Sequence, residues 1–542
     1  MTTIETHASG TQVHATSSDS ALGAFLVGVA AWATTTDHKR IGRLFIGCAL
    51  LIAIAAAALG AVVGVERITA TGYSILDKDS VTQIFSLYRV GISFGVMLPL
   101  LLGVAIAVVP LQVGAKTIAF ARSAMFGFWM WLAGLGLAVG STIANGGPGG
   151  GNAKMVDLFL LGMGIAVIGA LAAAVSVVTT VLTSRAPGMS LLRVPMTSWS
   201  ALTGGVALVL TLPVLLGTLV YLYVDHHYAR VVFGGNKGIS DWMGWSLTQP
   251  QTYVYVAMGA GVLAEIAAVV SGKRQVLRPV LLTGIAIVSV AALGGATQVQ
   301  HAVTWTNTSA SDKVKELVPF LIFNALPLLG VLVVLGVSLL GIAQGKPRMV
   351  PAMAPALLGL GMILTGMVGH LVSLFGPAQL VGTVFEEGEF IYVGYGALLI
   401  GLAAISYWGP KLWGRVLPSS AVLGISGLAF LGTVLAALPM YIAGFANQPA
   451  GVANDFSYSG PQELWNTASA AGHALVAVAV LLFVLTALRA FTSGEAAGDD
   501  PWDAQSLEWS VASPAPSNNF VSTPTVASAE PLLDIKPAGG QK

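Results

Sequence analysis

The stretch SLYRVGISFGVMLPLLLGVAIAVVP, residues 86–110, carries one charged side chain, Arg89, in 25 positions. About 20 predominantly apolar residues are enough for an α-helix to cross the hydrocarbon core of a bilayer. Eleven other windows of the chain have the same character. The twelve windows together are 44–65, 86–110, 124–144, 155–182, 199–224, 251–271, 277–297, 317–343, 350–374, 385–408, 417–444 and 466–491. The sequence therefore predicts an all-α integral membrane protein with twelve transmembrane helices.

The composition excludes several classes of protein. Of the 542 residues, 55% are apolar and 9% are Asp, Glu, Lys or Arg, whereas soluble proteins carry about a quarter of their residues as charges. A soluble enzyme and a disordered chain are therefore excluded. The net charge of +1 offers no field for a polyanion, so we expect no nucleic-acid partner. The single cysteine, Cys48, excludes a disulfide framework. The lipid bilayer is the expected surrounding.

The chain divides into three parts by composition. Residues 1–36 and 494–542 are predicted to be polar extensions, with the latter a cytoplasmic tail, and 37–493 the transmembrane domain. No short apolar stretch with a small-residue cleavage site precedes the first window, so we expect no cleavable signal peptide. A topology with both termini in the cytoplasm places 17 of the 25 basic residues on the cytoplasmic side, as the positive-inside rule requires.

Two polar clusters open predicted spans, and each has two interpretations. The cluster TQPQTY at 248–253 fits a proline in the first helical turn, or a polar path lined by Gln251 and Tyr253. The cluster EEGE at 386–389 fits a solvated outer loop, with the helix beginning at Phe390. Alternatively, Glu387 and Glu389 face the protein interior and relay protons, because carboxylates inside a membrane are costly unless hydrated, protonated or paired.

The remaining polar features have simpler explanations. GGPGGGN at 146–152 lacks the Gly-Lys-Ser/Thr ending of a phosphate loop and predicts a flexible connector. Histidine can ligate haem or copper, but His370 and His473 have no second histidine three or four residues away. We expect both to be hydrogen-bonded core residues, and we expect the pair at 226–227 to lie in an exposed loop. Glu265 stands alone in the sixth window as a further candidate for a proton path.

Several motifs together resemble subunit I of the haem-copper oxidases, the cytochrome c oxidase family. They are TTTDHKRIG at 34–42, PLQVGA at 110–115, AFAR at 119–122, YWGPK at 407–411, GR at 414–415, PWD at 501–503, LEW at 507–509, SPAP at 513–516 and NF at 519–520. They extend over nearly the whole chain. The resemblance implies twelve transmembrane helices in the subunit I arrangement, in a bacterial cytoplasmic membrane, with both termini cytoplasmic and subunit II- and III-like membrane chains as partners.

The same resemblance implies haem ligands at positions where this chain has none. Tyr88 stands where the family's second span carries a histidine that binds the low-spin haem. Glu387 and Glu389, or the residues one position away, stand where the family's tenth span carries the two histidines of the haem irons. The family's arginine pair near the haem propionates falls at Asn447 and Gln448. Tyrosine and carboxylates are poor substitutes for an axial imidazole.

The implied copper site is altered in the same way. Gln249 stands where the family has a copper-binding histidine, and Gln251 where it has the proton-relay glutamate, although Tyr253 is retained. Gln300 and His301 stand where the family has its adjacent histidine pair. One histidine cannot form a copper site that needs several nitrogen ligands. We therefore predict no haem, no copper and no other metal.

Three functions are compatible with this pattern. The first is a redox-inactive subunit I paralogue, a structural or assembly subunit of a respiratory membrane complex. It retains at most a proton path, through Gln251, Tyr253, Glu265, Glu387 and Glu389. Its haem pockets would have to be filled by side chains, lipid or quinone, because a void of that size costs several kcal/mol. The second is an active oxidase that binds haem and copper through unconventional ligands, reduces oxygen and pumps protons. The third is a transporter or channel on the same scaffold.

Overall fold

The computed structural model describes residues 21–69, 75–247, 257–297, 302–306, 309–451 and 461–535. Among them the helices are α1 (Ala21–Ala33), α2 (His38–Glu66), α3 (Lys78–Val90), α4 (Leu98–Gln112), α5 (Ala121–Ile143), α6 (Ala153–Thr183), α7 (Met196–His227), α8 (Gly235–Leu247), α9 (Ala260–Ser271), α10 (Arg278–Val288), α11 (Ala291–Thr297), α12 (Ala310–Phe320), α13 (Leu326–Gln344), α14 (Met353–Ser373), α15 (Val384–Trp413), α16 (Ser419–Phe445), α17 (Gln462–Ser493) and α18 (Pro531–Ile535). Two π-helical turns, Gly91–Met97 and Leu321–Ala325, join α3 to α4 and α12 to α13.

The all-α membrane architecture predicted from the apolar windows is confirmed. In the described residues, eleven helical segments are long and apolar enough to cross a bilayer. A shorter apolar helix, Ala257–Ser271, occupies the end of the sixth window, whose first residues lie outside the described part. Bilayer lipid offers no hydrogen bonds to the backbone, so long apolar segments must form helices.

Two segments lie at the centre of the bundle. The most apolar 18-residue windows of Ser80–Gln112 and of Val384–Trp413 are entirely buried by protein, whereas in the other segments between 28% and 56% of the window is buried. A helix that is apolar on all sides is typically buried. This placement puts the first turns of α15 and the end of α3, both polar in sequence, inside the protein.

The prediction that residues 1–36 form a polar extension is wrong for the second half of this range, because residues 21–33 form the apolar helix α1. This helix has 13 residues, too few to span a bilayer. Arg40 and Arg43 lie over the Trp32 ring at 5.6 and 5.1 Å from its centroid. The indole Nε1 of Trp129 donates to the Ala33 carbonyl at 2.9 Å, which fixes α1 against α5.

The glycine-rich connector, predicted to be flexible, contains a small hairpin that contacts α3. Strands β1 (Gly146–Gly147) and β2 (Gly150–Gly151) form a small antiparallel hairpin. The Gln83 amide donates to Asn145 Oδ1 at 3.1 Å and to the Gly150 carbonyl at 3.0 Å. Gly151 adopts a φ of 120°, a conformation open to glycine. The hairpin therefore packs on α3.

The C-terminal residues are packed against one end of the bundle, which we call the tail face. It is the end where the tail meets the start of α2, at His38 and Asn519. His38 Nε2 lies 3.0 Å from Asn519 Oδ1, and the Lys39 ammonium donates to the same oxygen at 3.1 Å. Leu507, Glu508 and Trp509 are all at most 3% exposed. The prediction of a simple polar tail is wrong, because its apolar and hydrogen-bonding side chains are buried here.

Candidate functional site

The polar site at the other end of the bundle, which we call the Tyr88 site, lies between α2, α3, α15 and α17. Glycines allow the helices to meet closely. A Cβ atom on Gly60 would lie 2.7 Å from His473 Nδ1, and one on Gly64 would lie 2.8 Å from the Ala470 Cβ. Close approach through small residues is typical of membrane helix pairs. It brings His473 of α17 against α2 and toward Tyr88 of α3.

A bidentate ion pair closes this site on one side. Arg67 caps α2, and its guanidinium donates to Glu387 Oε2 at 2.6 Å and Oε1 at 2.8 Å. The two side chains are 5% and 7% exposed. The backbone N–H of Gly451 donates to Glu387 Oε1 at 2.9 Å. Paired bonds between guanidinium and carboxylate are among the strongest hydrogen bonds in proteins, so Glu387 is a charged residue with a buried counter-charge.

Aromatic and imidazole rings occupy the rest of the site. The Tyr395 hydroxyl lies 2.6 Å from His473 Nδ1. The Tyr88 ring packs edge-on against His473, with centroids 5.4 Å apart, and against Phe390 at 6.1 Å. Tyr88 is 5% exposed. The cavity left among these residues is about 10 Å³, room for about one water molecule.

Glu389 serves a different contact from Glu387, because residues two apart point to different faces of a helix. Its Oε2 lies 3.3 Å from His370 Nδ1 of α14, and Glu389 is completely buried. The interpretation of 386–389 as a solvated loop is therefore wrong. Thr383 caps α15 by accepting a hydrogen bond from the Phe385 N–H at 3.3 Å, so the helix begins before the carboxylates.

The histidines divide into two groups. His370 and His473 are buried and hydrogen-bonded, as predicted. His226 and His227, predicted in an exposed loop, instead end α7. Their Nδ1 atoms lie 2.6 and 2.8 Å from the two oxygens of Asp157. No sequence motif indicated this partner, which lies near the start of α6.

Glu265, which is also a candidate for the proton path, lies at the tail face. Its Oε2 accepts a hydrogen bond from the Thr197 N–H at 3.3 Å. It lines a cavity of about 20 Å³ together with Arg278, Gln505, Ser506 and Glu530. Glu265 thus contacts the C-terminal tail, whereas Glu387 and Glu389 contact α2 and α14. The described residues do not join these three carboxylates through hydrogen bonds, and the proton path stays a prediction.

Glu508, a buried carboxylate, lies close to Glu265. The sequence analysis did not identify it as a residue on which several hydrogen bonds converge. Its Oε1 accepts from Gln112 Nε2 at 3.1 Å, Trp408 Nε1 at 3.0 Å and Ser506 Oγ at 3.0 Å. Ser198 Oγ donates to the Gln112 amide oxygen at 2.6 Å. Burial raises the pKa of the Glu508 carboxyl above its ordinary value. Gln112, Trp408 and Glu508 belong to the motifs PLQVGA, YWGPK and LEW. Nothing in the sequence indicated that these three motifs lie together.

The remaining predicted site residues are those of the implied copper site and of the implied propionate arginines. Five of them lie outside the described residues: Gln249, Gln251, Tyr253, Gln300 and His301. Of the two positions implied for the propionate arginines, Gln448 is buried and its amide donates to Asn466 Oδ1 at 3.1 Å. That position therefore holds a neutral amide pair.

The side chains at the Tyr88 site do not fit a haem. Tyr88, Glu387 and Glu389 are the positions that the resemblance assigns to haem ligands, and none is an imidazole. The nearby His473 is bonded through Nδ1 to Tyr395, and the free volume of about 10 Å³ is far below that of a porphyrin. In the described ranges, moreover, no three His, Cys, Asp or Glu side chains are grouped as metal ligands.

This is a polytopic membrane protein with two buried central segments. Its tail face is assembled from the motifs that resemble oxidase subunit I, so the chain is a membrane protein of that type. The model of the family "Cytochrome C and Quinol oxidase polypeptide I" matches residues 40–492, and the chain belongs to this family. Its relatives include the probable cytochrome c oxidase subunit 1-beta of Nocardia farcinica, 28% identical over 93% of this chain and 87% of the relative.

Two further relatives show the range of the family. The cytochrome c oxidase subunit 1 of Bacillus subtilis is 27% identical over 93% of this chain and 83% of its own length. The cytochrome bo(3) ubiquinol oxidase subunit 1 of Buchnera aphidicola is 27% identical over 93% of this chain and 79% of its own length. The similarity is thus spread over almost the whole chain, and it extends to oxidases named for different electron donors.

Proposed function

We propose that this chain is a subunit I-type membrane protein without haem or copper, a structural subunit of a respiratory membrane complex. The observation that carries the proposal is the packing of Tyr88, His473 and Tyr395 beside the buried pair of Arg67 and Glu387. These side chains fill the site with almost no free volume. A pocket that had merely lost its ligands would leave a void, which is costly.

The names of the relatives favour a second candidate, an active terminal oxidase. That function would require haem and copper to be held by unconventional ligands. Among the described histidines near the implied sites, His473 Nδ1 is bonded to Tyr395 and His370 Nδ1 to Glu389. A metal would therefore have to bind either imidazole through Nε2, and within the described ranges no group of three His, Cys, Asp or Glu side chains is present to complete a copper site.

We expect the purified protein to show no absorption band of reduced haem and no stoichiometric iron or copper. Optical spectra before and after dithionite reduction, together with elemental analysis, measure this directly. Subunit 1 of the Bacillus subtilis oxidase, expressed and purified in the same way, is the positive control for cofactor loading. A reduced-haem spectrum with iron and copper in proportion to the chain would contradict the proposal and establish the oxidase.

The proposed structural role requires partner chains, and we infer subunit II- and III-like membrane proteins. We place the complex in the bacterial cytoplasmic membrane, with the tail face in the cytoplasm, because the N-inside topology puts 17 of the 25 basic residues on that side. Extraction in a mild detergent followed by affinity purification of the tagged chain is expected to recover such partners in fixed proportion. A chain that is recovered alone under conditions that keep a control oxidase complex intact would contradict this role.

A residual proton path and a transporter on the same scaffold are the remaining alternatives. Glu387 is bound to Arg67 on both carboxylate oxygens, which disfavours it as a proton carrier. No motif in the chain indicates a transported solute. We therefore retain the structural role as the function that the described contacts support best.

A further inference from the structure

Arg89, the single charge of 86–110, lies in the last turn of α3. Its guanidinium Cζ lies 4.4 Å from the centroid of the Phe85 ring and 5.9 Å from that of Phe390. In the described part of the chain, the guanidinium donates no hydrogen bond and forms no ion pair, and its Nε is buried without an acceptor. A guanidinium has five N–H donors and normally binds an anion when it is removed from water.

The carboxylates nearby are already engaged. Both oxygens of Glu387 accept hydrogen bonds from Arg67, and one also accepts from Gly451. Glu386 Oε2 accepts from the Gly382 N–H at 3.1 Å. These two glutamates provide long-range attraction to Arg89 but no direct contact. Within the described residues, the guanidinium of Arg89 is therefore available to bind a carboxylate or another oxyanion.

A cavity of about 200 Å³ opens beside this guanidinium. Its described walls include Thr82, Ser86 and the Gly149 turn on one side, and Met243 and Leu247 of α8 on another. A cavity of about 150 Å³ is known to accommodate benzene. The space next to Arg89 therefore suits a compact molecule of that size, with one charged end and an apolar body.

We propose that this cavity, the Arg89 cavity, binds a small organic carboxylate with an apolar body about the size of benzoate. The planar guanidinium of Arg89 would donate paired hydrogen bonds to the carboxylate, and Met243 and Leu247 would pack on the apolar body. Inorganic phosphate suits the cavity less well, because it would place a multiply charged ion against these apolar walls. This inference concerns a site separate from the Tyr88 site.

The test is a titration of the full-length protein, in nanodiscs of phosphatidylcholine, with sodium benzoate by calorimetry. We expect saturable binding with one site per chain. Arg89→Gln removes the charge and is expected to weaken the affinity about tenfold or more. Arg230→Gln is the matched control, because Arg230 is exposed and stacks on Tyr228. Its affinity for benzoate is expected to equal that of the wild type.

A second variant tests the cavity without touching the charge. Among the residues that the structure describes, the Ser86 hydroxyl donates to the Thr82 carbonyl of its own helix, at 2.9 Å, so Ser86→Leu should fill the space while α3 stays intact. We expect this variant to lose benzoate binding and to keep the thermal stability of the wild type. Absence of saturable benzoate binding to the wild type, or equal binding by Arg89→Gln, would overturn the proposal.

Two other ligands define the chemistry. Palmitate has the same carboxylate on a chain too long for a cavity of this size, and inorganic phosphate has no apolar body. We expect neither to compete with benzoate at comparable concentration. Arg89-dependent binding of palmitate as tight as that of benzoate would assign the site to a lipid and overturn the small-molecule proposal. Equally tight binding of phosphate would overturn the role of the apolar walls.

Discussion

Glu387→Gln is expected to lower the free energy of unfolding by about 3–5 kcal/mol, because Arg67 would keep its charge at a buried position after losing the carboxylate that accepts two of its hydrogen bonds. The Arg67 and Glu387 side chains are 5% and 7% exposed, so bulk water cannot replace the lost carboxylate. The same substitution weakens the bond from the Gly451 N–H, which Glu387 accepts at 2.9 Å. Thermal unfolding of the purified protein in detergent, followed by circular dichroism, measures the loss.

The double variant Arg67→Met, Glu387→Met separates the charge from the packing. Replacing a whole buried ion pair with apolar residues of similar volume is often neutral or stabilising, so we expect most of the stability to return. Glu463→Gln, an exposed carboxylate in the first turn of α17, is the control and should change the free energy of unfolding by less than about 0.5 kcal/mol. A Glu387→Gln protein as stable as the wild type would show that the ion pair is not formed.

Glu508→Leu is expected to lower the free energy of unfolding by about 3 kcal/mol or more, because each buried donor left unsatisfied costs about 1–3 kcal/mol. Glu508 Oε1 accepts hydrogen bonds from Gln112, Trp408 and Ser506, and Glu508 is completely buried. Leucine fills a similar volume but accepts none of these bonds. The same thermal unfolding experiment measures the effect, and unchanged stability would contradict the tail contacts.

Glu508→Gln distinguishes the loss of the acceptor from the loss of the charge. Glutamine keeps an amide oxygen for the donors, and it cannot ionise. Burial raises the pKa of Glu508 in the folded protein, so the folded state binds the proton more tightly than the unfolded state does. The wild type should therefore lose stability relative to Glu508→Gln as the pH rises above the ordinary pKa of a glutamate, about 4.3. Glu495→Gln, an exposed position, should leave the pH dependence of the wild type unchanged.

The helices were predictable from the sequence because the bilayer imposes a simple condition, about 20 apolar residues per span. The partners of the charges were not. Arg67 and Glu387 are 320 positions apart, and Asp157 and His226 are 69 positions apart. A charged residue looks the same in a sequence whether its side chain faces water or a buried counter-ion. The solvated-loop interpretation of Glu387 and Glu389 was wrong for this reason.

The motifs that carry the family resemblance have a structural explanation in the tail face. Gln112 of PLQVGA and Trp408 of YWGPK both donate to Glu508 of LEW, and His38 of TTTDHKRIG contacts Asn519 of NF. They bind one another within the chain. Their presence therefore reflects the folding of this chain and is not by itself a sign of a partner surface. The structural role that we propose depends on the packing of the Tyr88 site.

The tail face also determines when the molecule can be completed during synthesis. His38 belongs to the first long helix, and its contact Asn519 lies 481 positions later. A ribosome releases the chain from its N-terminus, so the spans enter the bilayer while Gln112, Trp408 and His38 still lack these acceptors. Residues 508–519 close all of these contacts only after the last described span, α17, has been synthesised. A nascent chain that stops between Ser493 and Glu508 would contain every described span and yet leave Gln112, Trp408 and His38 without these tail contacts.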